Sequence, residues 1–186
     1  MRKLMLLDNA TLDGYLARRA DVNAAALMPV VAGQFDWQAD LLADYDTLLI
    51  GRVSYVTGAE FWPKQANRLG EKLTAMTKVV FSRTLDTLDW ANSRLAAGDP
   101  AAELARLRTE PGAGICVKGA PTLARALSRE QLIDEYVIIL HPLIAGPDGD
   151  PIPHFREPAD LPPLALADAT PLAGDAVALR YVRRRS

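Results

Sequence analysis

A single cysteine, Cys116, leaves nothing to pair with inside this chain of 186 residues. That excludes an internal disulfide framework, and with it the small secreted domains stapled by such bonds. Its setting, Gly114-Ile115-Cys116-Val117, is apolar, so the thiol reads as buried in a reducing compartment. Long apolar runs are also missing. After Arg2 and Lys3 only Leu4-Met5-Leu6-Leu7 precede Asp8, too short for the core of a secretory signal. No run approaches the roughly 20 apolar residues of a membrane helix. The expectation is a soluble, cytoplasmic protein. Charge of one sign is lacking as well: Lys plus Arg is 21, Asp plus Glu is 23, and the net charge is −2. Such a balance gives no general attraction for nucleic acid or an anionic membrane. Histidine is scarce. His141 and His154 stand alone, without Cys, Asp or Glu at a recognised ligand spacing, so no metal site is expected and both read as structural or surface residues. A Gly-x-Ser-x-Gly elbow and a Walker loop are both absent.

What is present is an average globular composition, 49% hydrophobic and 24% charged. The length suits one domain over 1–186 with a sizeable core. Short apolar runs alternate with helical patterns. The runs Lys3–Leu7, Thr47–Ile50, Lys78–Ser82, Gly114–Lys118 and Tyr136–Leu140 have the length of buried strands. Between them helices are predicted at about 36–44, 52–58, 67–76, 100–109 and 121–128. Asp99-Pro100 supplies an N-cap and a first-turn proline, and Pro121 opens the last helix. This alternation predicts a mainly parallel sheet covered on both faces. Ala176–Arg183 alternates Val177, Leu179 and Tyr181 inward against Ala178, Arg180 and Val182 outward. With no helix before it, it reads as an antiparallel edge strand beside Tyr136–Leu140. The Pro-rich stretch Pro147–Pro171 reads as a surface excursion within the domain. The fold class is three-layer α/β, mainly parallel, with an antiparallel C-terminal edge.

Four strand ends carry chemistry. Gly51-Arg52-Val53-Ser54 opens a helix directly after a strand, where amide donors, the helix dipole and a guanidinium suit a phosphate. Ser82-Arg83 ends the next strand and offers a hydroxyl and a charge to a terminal phosphate. Gly119-Ala120-Pro121-Thr122-Leu123 again joins strand to helix; its amides, Pro121 excepted, suit a pyrophosphate. Singly each is an ordinary turn. Together, on one side of a doubly wound sheet, they read as a phosphorylated-nucleotide site. Thr11-Leu12-Asp13-Gly14 adds a carboxylate at a fourth strand end, readable as a reacting-centre group or as plain turn chemistry. Trp37, Trp62 and Trp90 read as core, with Trp62 alternatively a pocket wall.

In this order, Thr11-Leu12-Asp13-Gly14, Leu49–Tyr55, Val79–Leu85, Val117–Leu123 and Leu132–Gly146 resemble the dihydrofolate-reductase-like superfamily. The closer resemblance is to bacterial proteins similar to the C-terminal reductase domain of the riboflavin-biosynthesis deaminase/reductase. The resemblance implies NADPH as cofactor, hydride transfer to a small heterocyclic or carbonyl substrate, and a homodimer. It implies that Gly51, Arg52 and Ser54 flank the cofactor phosphates and that Ser82 and Arg83 hold the 2′-phosphate. Gly119, Ala120, Thr122 and Leu123 would hold the pyrophosphate. Asp13 would be the catalytic group, and Asp36, Trp62 and Gly146 would contact substrate. Gly119-Ala120 departs from the Gly-Gly of dihydrofolate reductases, where an added Cβ would crowd the turn. The segment 17–34 fits no pattern and is expected to set specificity. The alternative is a non-catalytic NADP-binding or interaction protein on the same fold.

Overall fold

The computed structural model describes residues 1–15, 34–144 and 163–184. Eight strands form one sheet: β1 (Leu4–Thr11), β2 (Tyr45–Gly51), β3 (Thr77–Phe81), β4 (Ser93–Leu95), β5 (Gly114–Lys118), β6 (Glu135–His141), β7 (Leu164–Pro171) and β8 (Val177–Arg183). Their order is β4-β3-β2-β5-β1-β6-β8-β7. The first six are mutually parallel; β8 runs antiparallel to β6 and β7 antiparallel to β8. The helices are α1 (Phe35–Leu41), α2 (Arg52–Phe61), α3 (Arg68–Ala75), α4 (Pro100–Thr109) and α5 (Pro121–Arg129).

The apolar runs became strands because both sheet faces are covered. On one face Leu7, Leu48, Ile50, Val80, Cys116 and Ile139 pack against Phe35 and Ala39 of α1, Tyr55 of α2, and Leu69 and Leu73 of α3. On the other, Leu4, Leu6, Leu49, Val79 and Val117 pack against Leu104 and Leu107 of α4 and Leu123, Ala124 and Leu127 of α5. Cys116 is fully buried, and burial pushes its thiol up to about 12.

The predicted strands and helices are all present, within a few residues at their ends. Two strands were not foreseen. β4 is three residues long and carries no periodicity. β7 lies at the end of the Pro-rich stretch, which therefore finishes as an edge strand and not as an excursion. β8 pairs with β6 as expected, Tyr136 facing Tyr181 and Ile138 facing Leu179. Its inward and outward assignment holds in part: Arg180 is exposed and Tyr181 packs against the core as expected, but Ala178 is 1% exposed, whereas Val177 and Leu179 are only half-buried. A strand next to the edge has thin cover on both faces, and there a small residue sinks deeper than a large one.

Candidate functional site

Parallel order sends the carboxyl ends of β3, β2, β5, β1 and β6 to one rim of the sheet, and the unpaired groups of a doubly wound fold collect there. Gly51 is the N-cap of α2 and Ala120 the N-cap of α5; neither side chain closes its helix. By contrast Asn67 caps α3 by accepting from the Gly70 amide at 2.9 Å, and Asp99 caps α4 by accepting from Ala102 at 2.9 Å. α2 and α5 both open on one cleft of about 580 Å³ lined by Gly51, Arg52, Val53, Ser54, Phe81, Pro100, Ala120, Pro121, Thr122, Leu123 and Ala126. That volume is typical of a small-molecule site, roughly 300–1,000 Å³. The first amides of a helix have no partner within it. Two such ends, with an exposed Arg52 at the start of α2, suit a polyanion.

The turns after β2 and β5 touch directly. Ser54 Oγ donates to the carbonyl of Gly119, and the Gly119 amide donates to Asp8 Oδ1 at 2.8 Å. Gly119 has φ +58, a left-handed backbone that needs glycine. Ala120 has φ −128, which alanine adopts freely. The departure from Gly-Gly therefore falls where no left-handed backbone is required. Its methyl faces Gly51, whose own Cβ position lies 3.8 Å away.

Ser54 also lines a second cavity, of about 360 Å³, together with Asp8, Asn9, Leu48, Ile50, Thr57, Gly58, Phe61, Trp62, Leu73, Trp90, Lys118 and Gly119. Trp62 meets Phe35 edge-on at 5.4 Å and Phe61 at 5.0 Å. Trp90 is anchored by two hydrogen bonds, its amide donating to Tyr55 Oη at 2.9 Å and its indole to Thr74 Oγ1 at 3.2 Å. A Cβ on Gly58 would stand 2.9 Å from the Trp90 ring, so glycine lets α2 approach it. The result is an aromatic-lined slot beside the cleft.

One end of the slot is polar. Leu7 faces Lys118 across β1 and β5, and Thr11 faces His141 across β1 and β6. Strand alternation then puts Asn9, Lys118 and His141 on the same face. Lys118 Nζ donates to Gln38 Oε1 of α1 at 2.8 Å. His141 Nε2 bonds Asn9 Oδ1 at 3.0 Å, and its buried Nδ1 has no hydrogen-bond partner among the described residues. Burial, then the Lys118 charge, holds the His141 pKa below its usual value, so the ring is neutral.

Of the predicted residues, Gly51, Arg52, Ser54, Ala120, Thr122 and Leu123 share the cleft, and Trp62 and Gly119 line the adjoining cavity. Ser82 and Arg83 follow directly on the cleft residue Phe81; Arg83 is exposed, and Ser82 Oγ accepts from the amides of Thr84 and Leu85 at 3.1 and 3.0 Å. Asp13 is exposed in the turn after β1, where the Leu12 amide donates to Leu143 O at 2.8 Å. Asp36 does not join the site. Its side chain is 76% exposed and lies 4.0 Å from Arg68, because α1 turns Gln38 and Phe35 inward instead. Gly146, His154 and residues 17–33 lie outside the described residues. Sequence reasoning missed Asp8, Asn9, Gln38, Lys118 and His141. The signal was available: Asp8-Asn9, Lys118 and His141 each end an apolar strand run.

The family described as RibD C-terminal domain matches residues 2–169. The uncharacterized protein YyaP of Bacillus subtilis (strain 168) is 28% identical over 158 residues, covering 81% of this chain and 80% of its own. A solved structure of a putative riboflavin biosynthesis protein from Shewanella sp. PV-4 superposes with a TM-score of 0.75 at 19% identity, covering 98% of this chain and 99% of that one. The diaminohydroxyphosphoribosylaminopyrimidine deaminase/5-amino-6-(5-phosphoribosylamino)uracil reductase of Thermotoga maritima superposes with a TM-score of 0.63 at 12% identity, this chain spanning 57% of it.

Proposed function

From the premise that the chain belongs to the RibD C-terminal domain family, we propose that it is an NADPH-dependent reductase of a small heterocyclic or carbonyl substrate. One observation carries the reading. The turns after β2 and β5, with two helix starts lacking side-chain caps and Arg52 at the first of them, line a single cleft that meets an aromatic cavity at Ser54.

The residues present fit the cofactor. Amides of α2 and α5 and the Arg52 guanidinium would hold its phosphates, the Ala120 backbone being no obstacle. Ser82 and Arg83, next to Phe81, would hold a 2′-phosphate and favour NADPH over NADH. NADPH supplies hydride when bound. The chain does the rest. The Ser54–Gly119 bond fixes the two phosphate turns relative to each other. Trp62 and Trp90 orient a ring, and the aromatic walls keep water from it. Asp13 would orient substrate or pass a proton to it. The same reading takes 1–186 as a single domain working as a cytoplasmic homodimer. No described helix is long and apolar enough to cross a membrane.

The test is a thermal-shift titration with NADPH and NADH side by side. A ligand at about 100 times its dissociation constant adds roughly 2.7 kcal/mol to the folded state. The expected result is a clear shift with NADPH, a smaller one with NADH, and loss of the difference in Arg83→Ala. No shift with either nucleotide at millimolar concentration would sink the reading.

A further inference from the structure

Two lysines of this sheet, Lys78 buried and Lys118 half-buried, are used differently. Lys78 donates to three carbonyls, Leu73 at 3.1 Å, Thr74 at 2.7 Å and Met76 at 2.8 Å, and so fills its capacity. Lys118 sits at the end of a central strand and lines the aromatic cavity. It has one hydrogen-bond acceptor among the described residues, Gln38 Oε1. An ammonium carries three donors, and Lys118 is half-buried at the cavity wall. Two N–H groups of Lys118 are therefore open to whatever enters the cavity. Asn9, on the same sheet face and lining the same cavity, is fixed through its Oδ1 by His141. Burial holds the Lys118 pKa below its usual value, against the opposing pull of Cys116 and Asp8.

We propose that Lys118, steadied by Gln38 and flanked by Asn9, grips an oxygen of the substrate, and that the substrate is a flat ring carrying a ring carbonyl or its enolate. The assignment rests on the reductase reading for the word substrate, but the binding preference stands on the cavity alone. Phe61, Trp62 and Trp90 take the ring faces and edges. Lys118 takes the oxygen, where a charge-assisted hydrogen bond is strongest in a dry site.

The probes are 2-quinolone, a fused ring with a ring carbonyl, and quinoline, the same ring without the oxygen. Binding is read by quenching of tryptophan fluorescence. The wild type is expected to hold 2-quinolone about tenfold more tightly than quinoline, the worth of one charged hydrogen bond. In Lys118→Met that preference disappears while quinoline affinity holds. A second measurement needs no variant. Saturating 2-quinolone should protect Lys118 from reductive methylation, read by mass spectrometry, while Lys64 and Lys72 label as before. Three outcomes overturn the proposal: no preference in the wild type, an unchanged preference in folded Lys118→Met, or unprotected Lys118. Running the NADPH shift on the same samples separates the two readings. Loss of the nucleotide shift with the preference intact strikes the reductase reading, and the reverse strikes Lys118.

Discussion

Gly119 and Ala120 are adjacent in the chain and opposite in what they require. Gly119 holds φ +58, and a Cβ built there meets nothing closer than Ser54 Oγ at 3.7 Å. The obstacle to a side chain is thus backbone energy alone, roughly 1–2 kcal/mol for a left-handed residue. Gly119→Ala should lower stability by about that much in urea unfolding. It should also weaken NADPH binding, because this residue joins Asp8, through its amide, to Ser54, through its carbonyl. Ala120→Gly should cost only about 0.4–1 kcal/mol, through the unfolded chain, and leave nucleotide binding intact. Equal losses of binding in both variants would mean that the turn's geometry does not matter to the ligand. The general shape of this turn was legible in Gly119-Ala120-Pro121. Which of the first two residues carried the positive φ was not, because that depends on how Asp8 of β1 and Ser54 of α2 reach in.

At the scale of elements, each helix start and stop shows whether the chain satisfies itself or waits for a ligand. α3 is closed at both ends: Asn67 caps its start, and buried Lys78 takes carbonyls at its finish while lying 4.7 Å from the centre of the Trp90 ring. Burial brings the Lys78 pKa down to about 8, yet removing the side chain strands three acceptors. Lys78→Met should therefore destabilise, by roughly 1–3 kcal/mol, and change the near-ultraviolet signal of Trp90. A stabilised Lys78→Met would show that relief of the buried charge outweighs the lost bonds. Asp99→Ala should cost about 1 kcal/mol at the start of α4, with nucleotide binding unmoved. Arg52→Ala, at the start of α2 and exposed, should do the opposite: no change in unfolding and a weaker NADPH shift. The helix starts at Asp99-Pro100 and Pro121 could be read directly from the chain. The inward face of α1 could not. Over seven residues the choice between Asp36 and Gln38 is settled by Lys118 reaching across from β5, and nothing local records that.

For the whole molecule, the parallel order followed from alternation because fully covered strands leave an unbroken apolar signature. The two ends of the sheet left none. β4 and β7 are short or half-exposed, and polar side chains hold much of that periphery. Arg180 of β8 pairs with Glu135 of β6, and Arg94 of β4 and Arg106 of α4 converge on Glu103, whose side chain is 1% exposed. Burial alone would raise the Glu103 pKa. Hydrogen bonds from Arg106, Arg94 and the Ala97 amide outweigh it and bring the group down from 4.5 to about 2. Since the folded pKa lies below the unfolded one, the unfolded chain binds the extra proton at intermediate pH. The contribution is then complete above about pH 4.5 and drains away as pH falls toward 2. A shift of that size corresponds to roughly 3 kcal/mol. Asp46, held low against its own burial by the Ala113 amide, Thr47 and Arg2, adds a loss of the same sign. Urea midpoints of wild type and Glu103→Gln, taken from pH 7 down to pH 3, test this. The variant should be less stable at neutral pH, by up to that amount, and the gap should narrow steadily below about pH 4.5, where the unfolded wild-type chain takes up a proton that folded Glu103 does not. A gap that stays constant down to pH 3 would mean that Glu103 holds β4 to α4 by packing and not by charge.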